Sequence, residues 1–320
     1  IPAFQEAVGD QDALGQSAWY HLGWCNLQNG NKKFARNAWQ QAAKSSFDTV
    51  LKEQALFDYA KLAYELGYDP YDEAVQALQD YMNAYPNSPR MDEAYTFLAN
   101  IYATTRNYRT ALQSIERIKK KTEPIKAAYQ RVAFFRGIEL LNDRNYTEAT
   151  QHFDLSLQNP KDKNLVGQAH YWKADALYRS GDFSNAIKEY QDFIYSLNAF
   201  NQKKYNRVNY NLAYAYLKQK DYKNAVVWFR KYTAAASGDE SKVIHDAWVR
   251  LGDSYFAQRN LILALENYQK ALEVPGPEID YALFQKATIQ GLNGKDESKI
   301  STLARITNEF PNSPYADNAC

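Results

Sequence analysis

The sequence predicts an all-α fold, a solenoid of antiparallel helix pairs. Three observations carry this expectation. An alanine that opens a helical pattern recurs at Ala35, Ala74, Ala111, Ala149, Ala186, Ala225 and Ala264, at spacings of 39, 37, 38, 37, 39 and 39 residues. In the best-preserved copy, Ala247 to Pro275, apolar residues return with helical period: Trp248, Leu251, Gly252 and Tyr255 on one face, then Ala264, Tyr268 and Ala271 on a second. Gln258 to Asn260 leave room for only a short turn between them, so the two helices run antiparallel and a knob on one meets a hole on the other. Recurrence at this length points to stacked units rather than one enlarged core.

Each unit can be read in turn. The first runs from Trp19, Leu22 and Gly23 to Ala35, Trp39 and Ala42. The second is Phe57, Tyr59, Ala60 and Ala63, then Ala74, Leu78 and Tyr81, with two extra residues in its turn, Gly67-Tyr68-Asp69-Pro70. The third pairs Tyr95, Leu98, Ala99 and Tyr102 with Ala111, Ile115 and Ile118. The fourth has Gly137 and Leu140, then Ala149, Phe153 and Ser156; the fifth has Ala174 and Leu177, then Ala186, Tyr190 and Phe193. The sixth pairs Leu212, Ala213 and Tyr216 with Ala225, Phe229 and Tyr232, and the seventh is the copy quoted above. Asn107-Tyr108, Asn145-Tyr146, Asp182-Phe183 and Asp221-Tyr222 place a capping side chain before each second helix and an aromatic beside it. Tyr85-Pro86-Asn87-Ser88-Pro89 and Phe310-Pro311-Asn312-Ser313-Pro314 end one helix with proline and are expected to cap the next with serine. Polar connections at Asn159 to Leu165, Leu197 to Lys204 and Ser237 to Ser241 also fall at unit boundaries.

Composition excludes several functional classes. With 38 Lys and Arg against 37 Asp and Glu the net charge is +1, so no basic excess advertises nucleic acid. Lys119-Lys120-Lys121 and Lys218, Lys220 and Lys223 read as solvated faces. Cys25 and Cys320 make no disulfide framework, and no apolar run is long enough to span a membrane. His21, His152, His170 and His245 fall in four different units without metal-ligand spacing, and no nucleotide or hydrolase motif occurs. The acidic pairs Asp92-Glu93 and Asp239-Glu240 sit near helix starts, where the helix dipole accounts for them. Neither catalysis nor a cofactor is expected.

The Ala247–Pro275 pattern resembles the tetratricopeptide repeat (TPR), W-x2-L-G-x2-Y followed by A-x3-F-x2-A and P, whose usual period is about 34 residues. The resemblance implies a right-handed superhelical solenoid, with residues 1–320 forming one array of about seven full repeats and partial repeats at both ends. Phe4 and Ala7 fit the tail of a second helix, and Tyr315 to Cys320 the first turn of a new unit, as in a fragment of a longer protein; atypical end caps are the alternative. The resemblance further implies a non-catalytic scaffold whose first helices line a concave face that holds a partner's peptide or helix. Its inner positions would be Tyr20/Trp24, Phe57/Lys61, Thr96/Asn100, Phe134/Ile138, Tyr171/Asp175, Tyr210/Tyr214 and Val249/Asp253. None of these is the Lys/Asn pair that some TPR proteins use to clamp a carboxylate, so an aromatic groove is expected. The same rings also suit packing between helices, and that alternative stays open. Stretched repeats with Pro-Asn-Ser-Pro punctuation look like bacterial cell-envelope TPR proteins, which implies a periplasmic or outer-membrane-associated place, with the cytoplasm as the alternative. A glycan- or peptidoglycan-binding module and an accessory domain of a larger enzyme are the rival functions.

Overall fold

A computed structural model of the chain describes residues 2–7, 12–67, 72–196, 206–235 and 241–317. The expected structure at Tyr68 to Pro70, Leu197 to Lys204, Asp239-Glu240 and the last three residues lies outside these. Among the described residues all regular structure is helical. A short α1 (Pro2–Ala7) precedes the pairs α2 (Ala13–Gln28) and α3 (Lys32–Lys44), α4 (Thr49–Leu66) and α5 (Asp72–Ala84), and α6 (Met91–Thr104) and α7 (Tyr108–Glu116). Next come α8 (Glu123–Asn142) and α9 (Tyr146–Leu157), α10 (Lys163–Ser180) and α11 (Phe183–Ser196), and α12 (Arg207–Lys218) and α13 (Tyr222–Ala235). The last are α14 (Ser241–Ala257) and α15 (Leu261–Leu272), then α16 (Ile279–Leu292) and α17 (Asp296–Glu309). The chain forms two compact units, one of Ile1–Arg136 with Leu155–Asp162 and the other of Gly137–Asp154 with Lys163–Cys320.

The knob-and-hole expectation holds at atomic detail. A Cβ added to Gly252 would stand 2.6 Å from Tyr268, one on Gly137 2.7 Å from Phe153, and one on Gly23 2.4 Å from Trp39. Where the hole is alanine, at Ala60, Ala99, Ala174 and Ala213, it is at most 2% exposed. The facing knobs Leu78, Ile115, Tyr190 and Phe229 are equally buried. Small residues at this one position let two backbones approach closely enough to exclude water from the seam.

The turns inside the pairs share one mechanism. Gly30, Arg106, Arg144, Gly181, Lys220, Arg259 and Gly294 all take positive φ, between 60° and 89°. Each following residue donates its N–H five residues back, as Asn260 does to Tyr255 O at 2.9 Å and Asn107 to Tyr102 O at 2.7 Å, the Schellman ending. That residue then caps the next helix: Asp182, Asp221 and Asn260 accept from the amide three residues on at 3.2, 3.1 and 3.2 Å. One residue thus ends one helix and begins another.

The extra length of several repeats has its own device. Three residues before the leading position of the first helix, a polar side chain, buried in all these cases but Asp92, grips the end of the pair's second helix or the connection after it. Gln16 donates to Ser45 O and Asp48 O, both at 3.1 Å, and accepts from Asp48 N at 2.8 Å. Asp92 accepts from Lys119 N and Lys120 N at 2.9 Å. Gln130 donates to Asp162 O at 3.0 Å and accepts from Asp162 N at 2.7 Å. Asn206 donates to Tyr232 O at 2.9 Å, and His245 Nδ1 lies 2.8 Å from Ala271 O. Connections that a shorter repeat would omit are satisfied this way.

Two expectations are corrected. Ser88 does not cap α6; the helix expected after Ser313 involves the last three residues, outside the described ones. Ser88 Oγ lies 2.6 Å from the Tyr81 hydroxyl and accepts from Arg90 N, while Ser313 donates to Asp280 at 2.5 Å. Both serve the same grip at the end of a repeat. The second correction is α16 and α17, a further full pair that the alanine count missed. Counted from its cap, Lys299, Leu303 and Ile306 stand where the seventh unit has Ala264, Tyr268 and Ala271. The turn expected over Tyr315 to Cys320 reaches residues outside those described; Tyr315 itself stacks on Phe284 at 5.0 Å.

Candidate partner-binding site

The inner-face residues separate into three groups. Phe57 and Phe134 are 3% exposed and Tyr20 9%, so the expectation of open groove rings is corrected at these three positions, and Val249, which carries no ring, is 0% exposed. Their helices press them into the seam: Phe57 meets Tyr81 at 5.0 Å and lies under the Arg90 guanidinium at 4.8 Å. The Tyr20 hydroxyl donates to Asp58 at 3.3 Å, and Trp24, 43% exposed, donates in turn to that hydroxyl at 3.2 Å.

A second group is engaged by its own neighbours. Lys61 pairs with Glu93 at 3.0 Å. Thr96 donates to Asp92 O at 2.7 Å, and Ile138 is half-buried. Asp253 accepts from the hydroxyls of Tyr268 and Tyr281 at 2.7 and 2.8 Å and from Arg250 at 2.9 Å. Asn100 lines a cavity of about 370 Å³ in the first unit with Tyr64, Tyr108, Arg131 and Phe135.

The third group comes together. In the second unit, α10 and α12 bring Asp175, Tyr210 and Tyr214 around a cavity of about 200 Å³, completed by Tyr178, Tyr190 and Asn211. Tyr171 stands behind it, its hydroxyl accepting from Asn211 at 3.0 Å and its ring 5.2 Å from Phe193. Tyr210 and Tyr214 both donate to Asp246 Oδ2, at 2.7 and 2.6 Å. Arg250 Nε donates to the Tyr214 hydroxyl at 3.1 Å, and the rest of its guanidinium is held by Asp253 and Glu278. Arg179 Nε lies 2.8 Å from Asp175 Oδ2, an ion pair without hydrogen-bond alignment.

The electrostatics follow from burial. Desolvation pushes the Asp175 carboxyl above the usual aspartate range, with Arg179 opposing it. Burial likewise raises Tyr178, Tyr190, Tyr210 and Tyr214, and the Asp246 charge adds to the shift at Tyr178, Tyr210 and Tyr214. These hydroxyls stay protonated at any physiological pH, so the cavity works by shape, ring faces and hydrogen bonds.

Sequence reasoning missed Tyr178, Tyr190 and Asn211. Tyr178 carried a signal: it continues the helical row of Tyr171 and Asp175 by one more turn. Tyr190 is the knob of its pair, and nothing in the pattern says that its ring also reaches a cavity. Elsewhere His170, Glu189 and Asp192 bring three possible ligand atoms within 4.8 Å, but the Lys173 ammonium already holds Glu189 Oε1 at 2.6 Å. The trio is an ion-pair cluster. No described helix is long and apolar enough to cross a membrane.

Sequence models of the tetratricopeptide repeat match residues 1–50 and 136–201, 54–88 and 281–313, and 207–238 and 245–275. Among curated proteins none matches the sequence. Similar solved structures include the apo form of RapI, 12% identical, covering 95% of this chain and 79% of its own with a TM-score of 0.52. YrrB, described as a TPR protein with an unusual peptide-binding site, is 14% identical over 66% of this chain and 96% of its own, with a TM-score of 0.49. The C-terminal part of a TPR repeat-containing protein from Cytophaga hutchinsonii is 20% identical over 82% of this chain and 98% of its own, with a TM-score of 0.47.

Proposed function

The chain belongs to the tetratricopeptide repeat family, and from that premise we propose that it is a non-catalytic scaffold which holds an extended segment of a partner protein. The observation that carries this reading is the cavity of α10 and α12. It is lined by three tyrosines and one carboxylate on the helices the family uses for recognition, with Tyr190 of α11 completing it. Rigid aromatic rings offer large contact area at small entropic cost, which suits them to anchor a peptide. Tyr20, Trp24, Phe57, Lys61, Asn100, Phe134 and Asp253 then serve mainly to hold the face in shape. Within this reading Tyr171, Asp175, Tyr210 and Tyr214 make the contact.

Random-peptide display against the purified chain tests this, with the Asp175→Asn/Tyr178→Leu variant as counter-target. Those two substitutions alter the cavity and leave the knobs in place. Enriched peptides should bind the chain and lose affinity for the variant at unchanged melting temperature. Peptides that bind both equally, or no enrichment at all, would overturn the reading. A place in the bacterial envelope is part of the proposal and is supported only by the repeat length and punctuation. Fractionation of cells expressing the complete gene checks it, and recovery in the cytosol would remove it.

A further inference from the structure

The cavity of the second unit has a chemical polarity beyond its shape. The hydroxyl hydrogens of Tyr210 and Tyr214 are both committed to Asp246 Oδ2, and the Tyr214 oxygen already accepts from Arg250 Nε, so the Tyr210 oxygen is the one left to accept. Asp175 adds a carboxylate whose side chain is only 16% exposed. The tyrosine faces carry the negative side of the aromatic quadrupole. The Asn211 amide donor is spent on Tyr171, and the Tyr178 and Tyr190 hydroxyls can turn to accept as well as donate. The wall therefore asks for a donor, and for a flat one.

The chain's own guanidinium groups already answer that request at the rim. Arg207 lies over the Tyr210 ring at 4.7 Å, and Arg179 meets Asp175 at 2.8 Å. Arg250 is fixed from several sides, its Nε on the Tyr214 hydroxyl and its other nitrogens on Asp253 and Glu278. Arg179 is the replaceable one: its side chain is 51% exposed and it meets Asp175 without hydrogen-bond alignment. An incoming cation can take its place on Asp175 while Arg179 turns to solvent.

Resting on the scaffold reading, we propose that this cavity receives an arginine side chain of the partner's peptide, its guanidinium against Asp175 and between the tyrosine faces. Arginine is preferred to lysine because a planar, weakly hydrated guanidinium stacks on rings and loses less on leaving water. The cavity, about 200 Å³, has room for one such head group.

The test uses three capped pentapeptides, Ser-Gly-X-Gly-Ser with X as arginine, lysine or the neutral isostere citrulline. They are titrated against the whole chain carrying 3-fluorotyrosine, with signals assigned by Tyr178→Phe and Tyr214→Phe. The arginine peptide should move the Tyr178 and Tyr214 signals saturably, and citrulline should bind about tenfold more weakly. Asp175→Asn should remove that difference. Arg179→Gln should strengthen arginine binding about two- to threefold by removing the competitor, a gain that a merely structural role would not give. Equal binding of arginine and citrulline peptides, or no shift at these tyrosines up to about 10 mM, overturns the proposal. If displayed peptides still lose binding on cavity substitution in that event, the scaffold reading stands and only its arginine preference falls.

Discussion

Gly252 shows how much one hydrogen atom decides in this fold. Its Cα hydrogen faces Tyr268, and a methyl there would lie 2.6 Å from the ring. Gly252→Ala is expected to cost roughly 1–3 kcal/mol through overpacking, read as a lower melting temperature. An unchanged melt would contradict the close approach. The opposite sign is expected at Arg144, where φ is 60° and no Cβ is welcome. Arg144→Gly relieves about 1 kcal/mol of left-handed strain, partly offset by the entropy of glycine, so its melt should rise slightly. Glu189 supplies a pH-dependent case. Burial pushes its carboxyl up, but His170 and Lys173, at 2.7 and 2.6 Å, outweigh that and hold it below its ordinary 4.5. A lowered folded-state value means that its stabilisation is present above pH 4.5 and fades as pH falls through the folded value. Glu189→Gln should therefore flatten the acid limb of melting temperature against pH, and coincident limbs would refute the pairing.

At the scale of the helix pair, the polar grip holds the connections of the repeats that carry it. Gln130 is 0% exposed and makes hydrogen bonds through both ends of its amide to residues 161 and 162. Gln130→Leu keeps the volume and leaves those backbone groups without partners, which costs about 1–3 kcal/mol for each one that stays dry. Faster amide exchange at Lys161 and Asp162 should accompany the loss; retained protection would show that water or another group takes over. This grip also marks the limit of what the sequence told. The hole and knob positions were legible because Gly23, Gly137 and Gly252 recur with aromatics sixteen residues on. The grip was not, because Gln16, Asp92, Gln130, Asn206 and His245 share a role without sharing a residue type. Each can hydrogen-bond the backbone, and a pattern of identities does not register that equivalence. The pair α16 and α17 escaped for a related reason, since Lys299 and Leu303 replace the alanine and the aromatic. In the candidate site, Asp175, Tyr210 and Tyr214 were expected only through the repeat resemblance, which implies two inner positions on each first helix. Tyr190 and Asp246 were not, because they reach the tyrosine cluster from other helices, and only packing brings them there.

Across the whole molecule, stability should be graded rather than uniform, because each pair gains its burial from its neighbours. α15 buries Ala264, Asn267, Tyr268 and Ala271, with Tyr268 among the largest fully buried side chains. α17 is longer, yet it buries only Thr302 and Ile306, and Ile300 is 65% exposed. Apolar burial at roughly 25 cal/mol per Å² gives α15 several kilocalories that α17 lacks. Local opening draws on this difference, since an element with few buried contacts can detach without exposing the rest. Native-state hydrogen exchange should accordingly show α17 exchanging at low denaturant while α15 follows global unfolding of its unit. Adding a knob should move the two together. Leu303→Tyr supplies the ring that five of the other seven pairs carry, and the facing hole at Ala287 is already small and 0% exposed. If exchange in α17 then slows towards that of α15, the knob-and-hole contact controls how far cooperativity spreads along the array. If α17 stays fast with the tyrosine in place, the missing alanine at Lys299 is what keeps the two helices apart.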